Sequence, residues 1–177
     1  MQIFDGLYYS KLIEERIQNK LAVKAKSPHL GILQIGDNAS SEKFVSLKLQ
    51  LCSKLGITAK YLKIDADKSD SEISSIAEDF FNDTSLMGVI VQLPLPKPTL
   101  YKILDKIPQK KDIDLLSRTV IEQNAVARKP LLSPVCRAFE YFLDTNNLKI
   151  TSMEISVLGY GFLVGKPLCD YLLQHGA

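Results

Sequence analysis

Gly88-Val89-Ile90-Val91-Gln92-Leu93, followed at once by Pro94-Leu95-Pro96, is the stretch whose reading decides the fold. It is apolar at every residue but Gln92 and does not alternate, the pattern of a strand covered on both faces. Pro94, Pro96 and Pro98 end it, since proline gives no N–H to a ladder. Strands of this kind sit in parallel sheets whose connections are crossover helices. Outward from it the chain repeats the theme. Leu30–Ile35 is a short apolar run closed by Gly36-Asp37-Asn38, and Ile57–Ile64 is a second one. Between them a helix is expected, capped by Ser40 or Ser41, with Val45, Leu47, Leu51 and Leu55 as apolar positions and Gly56 as its stop. Ser69-Asp70-Ser71-Glu72 opens another helix, running to about Phe81. Before the first strand, Leu7 to about Lys24 carries apolar residues near a 3.6-residue period.

Beyond the deciding stretch, Thr99–Ile107 predicts a short helix. Residues 108–130 read as polar loop with one turn of helix, and Pro134–Thr145 as helix. Residues 146–153 form a linker, Glu154–Leu158 a strand, and a last helix follows Gly165. Strand–helix alternation makes this an α/β protein, a three-layer N-terminal catalytic domain with a mostly parallel sheet. The boundaries expected are 1–146 for that domain and 147–177 for a second one. One strand and one helix do not complete a doubly wound sheet, so the chain reads as cut short.

Composition excludes several classes. Of 177 residues, 22 are Lys or Arg and 20 Asp or Glu, a net charge of +2 that builds no basic field for nucleic acid. Three scattered cysteines, Cys52, Cys136 and Cys169, argue against a disulfide framework and fit a reducing cytoplasm. The N-terminus lacks an apolar core of the secretory kind, and no run approaches a membrane span. His29 and His175 are the only imidazoles, too few for a His-rich metal site.

Four places have residue types that carry chemistry. Phe44 and Lys48 are i and i+4 on one helix face, an aromatic plate beside an amine; equally, this is a core Phe with a snorkelling Lys. Gln92 is an amide at a strand's carboxyl end, where open sheets bind ligands, or it bonds the neighbouring loop. Lys110-Lys111-Asp112-Ile113-Asp114 offers paired acids without a third metal ligand. One carboxylate there has the geometry to read the donors of a heterocycle, while solvated loop charges account for the composition. Gly159-x-Gly161-x-x-x-Gly165 follows the last strand and opens a helix, as a dinucleotide turn does, but with one residue more than the usual spacing. Tight strand–helix packing explains it as well.

Together these places resemble one family, the bifunctional methylenetetrahydrofolate dehydrogenase/cyclohydrolases (the FolD family), over essentially the whole chain. Ile35–Lys48 is similar to its V-G-x-N-P-A-S-x-x-Y-V-x-x-K segment, and Gly88–Pro96 to its G-I-L-V-Q-L-P-L-P. Pro108 with Lys111-Asp112-Ile113-Asp114 resembles P-x-K-D-V-D-G, Val157–Pro167 resembles V-I-G-R-S-x-x-V-G-K-P, and Asp5-Gly6 fits the opening D-G. The resemblance implies folate held between a catalytic and a Rossmann domain. It implies oxidation of 5,10-methylenetetrahydrofolate with NADP (NAD in some members), hydrolysis of the methenyl product to 10-formyltetrahydrofolate, and a homodimer with no nucleic acid or membrane partner.

Carried over residue by residue, Lys48 is the catalytic lysine, Gln92 its partner and Asp114 the pterin anchor. Ser41, Phe44, Leu93 and Pro94 line the substrate pocket, and Gly159, Tyr160, Gly161, Gly165 and Lys166 hold the cofactor. The departures are Phe44 for Tyr, Leu115 for the glycine after D-V-D, and Leu131-Leu132-Ser133-Pro134 for P-C-T-P. In the cofactor turn, Gly161 replaces Ser, and Tyr160 stands where a basic residue often helps hold the NADP phosphate. A chain ending at Ala177 is expected to bind NADP weakly or not at all. The alternative reading is a non-catalytic folate-binding or dimerising module derived from such an enzyme.

Overall fold

The computed structural model describes residues 5–23, 26–127 and 131–177, and they divide into two compact units, 1–125 and 126–177. The expected helix end at Lys24 and the last residues of the 108–130 stretch lie outside the described residues.

In the first unit, α1 (Gly6–Ala22) starts where the Asp5 carboxylate accepts the Leu7 and Tyr8 N–H groups at 3.1 Å. Strand β1 (His29–Ile35) leads into α2 (Ala39–Leu55). The cap of α2 is Asn38, whose Oδ1 accepts from Ser41 N at 2.9 Å, rather than Ser40 or Ser41, which lie inside the first turn. Gly56, at φ +72, stops the helix in the left-handed region that a glycine enters freely. Next come β2 (Thr58–Ile64), α3 (Asp70–Asn82) and β3 (Gly88–Val91). Ser69 and Glu72 cap α3 reciprocally, a capping box legible in the sequence.

The three strands form one wholly parallel sheet in the order β2-β1-β3. Leu33, Ile35, Val89 and Val91 pack on one face with Ile73, Ala77, Phe80 and Phe81 of α3 and with Leu100, Ile103 and Leu104. Ile32 and Ile90 face the other way, onto Val45 of α2. Each large side chain buried this way contributes about 1.5–3 kcal/mol relative to exposure. The expected helix over 99–107 is a 3-10 helix, Pro98–Lys106. In the stretch read as loop, a 3-10 turn (Gln109–Lys111) precedes a true helix, α4 (Arg118–Val126). That helix is weakly amphipathic and is held at its start by tertiary bonds, Arg118 N and Nη2 donating to Asp105 at 2.7 Å.

In the second unit, α5 (Pro134–Thr145) and α6 (Gly165–Gln174) enclose a core of Cys136, Leu143, Ile150, Tyr171 and Leu172. The apolar face of α5 thus packs in the second unit. The strand expected over 154–158 does not form. Ile155 and Val157 alternate inward, as in a strand, yet among the described residues no neighbour takes up the segment's backbone groups.

Candidate active site

The order β2-β1-β3 sends the chain to opposite sides of β1, so the carboxyl ends of β1 and β3 bound a crevice at a topological switch point. Gln92 sits there, one residue past β3, its N–H donating to Leu33 O at 2.8 Å. Ile90 faces α2, and side chains alternate along an extended chain, so Gln92 faces α2 as well. On α2, Val45 fixes which face is buried, and Lys48 lies three residues on, on the same side. The two meet: Lys48 Nζ donates to Gln92 Oε1 at 2.7 Å. Gln92 Nε2 donates to Leu93 O at 2.6 Å, which turns the amide oxygen toward the amine. Ser41, buried, donates its hydroxyl to the same carbonyl at 3.5 Å. Leu93 is half-buried and Pro94 exposed, and the peptide between them is cis.

Phe44 stands one turn before Lys48 with 54% of its surface exposed, so a flat face is open to a ligand. Its ring centroid is 6.0 Å from Lys48 Nζ, at the limit of a cation–π contact. Neither half of the core-Phe, snorkelling-Lys alternative holds: the ring is exposed and the amine is bonded inside.

Asp114 arrives on the loop after the Gln109–Lys111 turn. That loop is no solvated charge run. Lys111 Nζ donates to Phe81 O and Asp83 O at 2.9 and 2.7 Å, capping the end of α3. Asp112 pairs its backbone with Val89 of β3 and buries its carboxylate. Leu115 has φ +56, the left-handed region a β-carbon resists.

Burial disfavours the charged form of Lys48 and lowers its pKa below the ordinary lysine value, against the raising effect of the Asp114 charge. Burial likewise pushes the Asp114 carboxyl above its ordinary value, opposed by Lys48 and assisted by Asp112. On each side desolvation outweighs the mutual attraction, so both groups move toward neutrality. At a given pH a larger fraction of such an amine is neutral than of a free lysine. No group of three or more His, Cys, Asp or Glu that could hold a metal occurs among the described residues.

In the second unit, Gly159 has φ +97, and a β-carbon on Gly165 would collide with the Gly159 carbonyl oxygen. Both glycines are therefore required by the turn, whereas Gly161 has open space around it. Lys166 N donates to Gly161 O at 3.0 Å, and Lys166 Nζ pairs with Asp170 at 2.7 Å. Tyr160 is exposed. The turn opens the N-terminus of α6, a position that in general favours an anion.

The family model described as tetrahydrofolate dehydrogenase/cyclohydrolase, catalytic domain, matches residues 4–114. Among curated relatives, a bifunctional protein FolD of Metamycoplasma arthritidis is 33% identical over 96% of this chain and 59% of its own length. Among solved structures, the bifunctional FolD enzyme of Campylobacter jejuni superposes with a TM-score of 0.88 at 24% identity, covering 98% of this chain and 63% of that one. The Trypanosoma brucei methylenetetrahydrofolate dehydrogenase-cyclohydrolase, complexed with NADP and an inhibitor, gives 0.88 at 23% identity over 99% and 62%. The chain spans about three-fifths of the length of these relatives.

Proposed function

From the tetrahydrofolate dehydrogenase/cyclohydrolase family, to which this chain belongs, we propose that Lys48, Gln92 and Asp114 form a folate site that hydrolyses 5,10-methenyltetrahydrofolate to 10-formyltetrahydrofolate. The observation that carries this reading is the 2.7 Å bond from Lys48 to Gln92 at a sheet's carboxyl edge, with the lysine's charged form disfavoured by burial. The methenyl carbon is part of an amidinium-like cation, which a protonated lysine would repel. A neutral Lys48 takes a proton from water as the water oxygen bonds to that carbon. The carbon–N5 bond then breaks as N5 takes a proton from the Lys48 ammonium and the hydroxyl proton on the carbon passes to water, which leaves the formyl group on N10 and releases one proton per turnover. Gln92 holds the amine in place, Asp114 accepts the donors of the pterin ring, and Phe44 stacks on a flat part of the substrate with Leu93, Pro94 and Ser41 as wall.

The dehydrogenase half of the reading uses NADP, which when bound accepts a hydride from the methylene carbon of 5,10-methylenetetrahydrofolate. Gly159, Tyr160, Gly161, Gly165 and Lys166 are the residues that would meet it, and the constrained Gly159–Gly165 turn supports that role. Residues 147–177 are read as the opening of its binding domain. NAD in place of NADP, a homodimer and a cytoplasmic setting belong to the same reading. The described residues contain no helix long and apolar enough to cross a membrane, and the three cysteines are free.

A folate-binding module without turnover is the second reading, favoured by Leu115 in a left-handed conformation beside Asp114. One assay separates the two, because the hydrolysis needs no hydride acceptor. The purified chain is expected to speed loss of 5,10-methenyltetrahydrofolate, and Lys48→Met to abolish the gain. Folate binding at the uncatalysed rate favours the module, and no folate binding by calorimetry removes both.

A further inference from the structure

The site contains a second carboxylate to which the reaction gives no task. Asp112 is only 4% exposed, and a buried carboxylate is costly unless its oxygens are bonded. Both are: Oδ1 accepts from Leu116 N at 3.1 Å and Oδ2 from Ser117 N at 2.9 Å. These two bonds close residues 112–117 into a ring with Asp114 on its rim and the left-handed Leu115 beside it. The ring is tied down on the sheet side by the Val89 bridge and before it by Lys111. Charge-assisted bonds of this kind are among the stronger ones a loop can make. They also offset the strain at Leu115, which an unbraced loop would relieve by relaxing to negative φ.

We propose that Asp112 is a positioning residue for Asp114: its carboxylate closes the 112–117 loop from inside and thereby fixes where the Asp114 carboxylate stands relative to Lys48. This rests on the folate reading only in what Asp114 is positioned for. The charged groups acting on Asp114 are Lys48, from α2, and Asp112, from its own loop. Removing the Asp112 charge therefore eases ionisation of Asp114, and an Asn at 112 keeps one acceptor oxygen for one of the two N–H groups.

The test compares Asp112→Asn and Asp112→Ala with the parent chain by methenyltetrahydrofolate hydrolysis and by carboxyl-carbon NMR titration of Asp114. The expected result is a KM raised about tenfold or more in Asp112→Ala, the scale of a lost charged hydrogen bond, with kcat changed much less. Asp112→Asn recovers part of that KM. In Asp112→Asn the Asp114 titration midpoint moves to lower pH. Unchanged KM together with an unmoved Asp114 resonance and midpoint overturns the proposal. Should Asp112→Ala not fold, Asp112→Asn alone decides. A parent chain without turnover overturns the folate reading, while the Asp114 titration still decides what Asp112 does.

Discussion

The crevice at the end of β3 and the turn leading into α6 both carry a family resemblance, sharper at the first, and they are built to different degrees. At the first, Lys48 bonds Gln92, and Gln92 and Ser41 both bond the Leu93 carbonyl. At the second, the glycines hold their turn while Leu158 is 99% exposed and residues 154–158 form no strand. The same kind of motif becomes a site where a neighbouring strand supplies the ladder and remains a local turn where none does. The β3 crevice is a product of the sheet, and the glycine turn a product of its own backbone.

The comparison breaks most readily at Lys48. Lys48→Met is expected to cut hydrolysis by about 10²–10⁴-fold, the usual worth of a positioned proton acceptor. In the parent chain the rate is expected to rise with pH at lower values than an ordinary lysine would give, since burial lowers the Lys48 pKa. Stability follows in sign. The unfolded chain binds that proton more tightly, so stability rises with pH between the lowered folded value and the ordinary one. Lys48→Met removes this slope in denaturation curves, and a slope that persists assigns it elsewhere.

Gly165→Ala probes the other region. The added methyl collides with backbone, which has no soft direction to yield, so a loss of about 2–3 kcal/mol is expected in melting of the α5–α6 unit. Gly161→Ala, with open space around it, serves as the control. If Gly165→Ala melts with the parent, the turn is not rigid.

Asp114→Ala is expected to weaken folate binding by about 1.5–3 kcal/mol, measured by calorimetry. Because burial raises the Asp114 value, folate binding is expected to be lost on acidification earlier than an ordinary carboxylate would allow. The smallest effect expected is at the neighbouring position. Leu115→Gly relieves a left-handed φ of +56 and is expected to stabilise the first unit by about 1 kcal/mol, less the entropy a glycine adds to the unfolded chain. A destabilised Leu115→Gly would show that the leucine side chain contributes packing that outweighs its backbone strain.

Much of this was legible beforehand because it is local. The continuous apolar run at Gly88–Val91 announced a two-face-buried strand, Ser69 with Glu72 announced a cap, and Gly56 announced a helix end. The pairing of Phe44 with Lys48 followed from helical spacing. Three features were hidden because they depend on the path the chain takes and not on a repeating pattern. Helix α4 is anchored by Asp105 and not by its own pattern. The cap of α2 went to Asn38, since chain direction at the turn after β1 decides which side chain reaches back. Asp112 reads in sequence as one of two alternating acids, and only the fold separates the one that is sealed in from the one that faces the amine.

The strand order has a consequence for synthesis. β1, the first strand made, is the middle one, and its two neighbours are β2 and then β3. A chain leaving the ribosome at roughly 5–20 residues per second must wait several seconds after residue 35 before residue 91 has emerged to finish the sheet. Through that interval one side of the most water-averse ribbon in the molecule stands uncovered, so the nascent chain passes its most adhesive moment before the lysine and the glutamine can find each other.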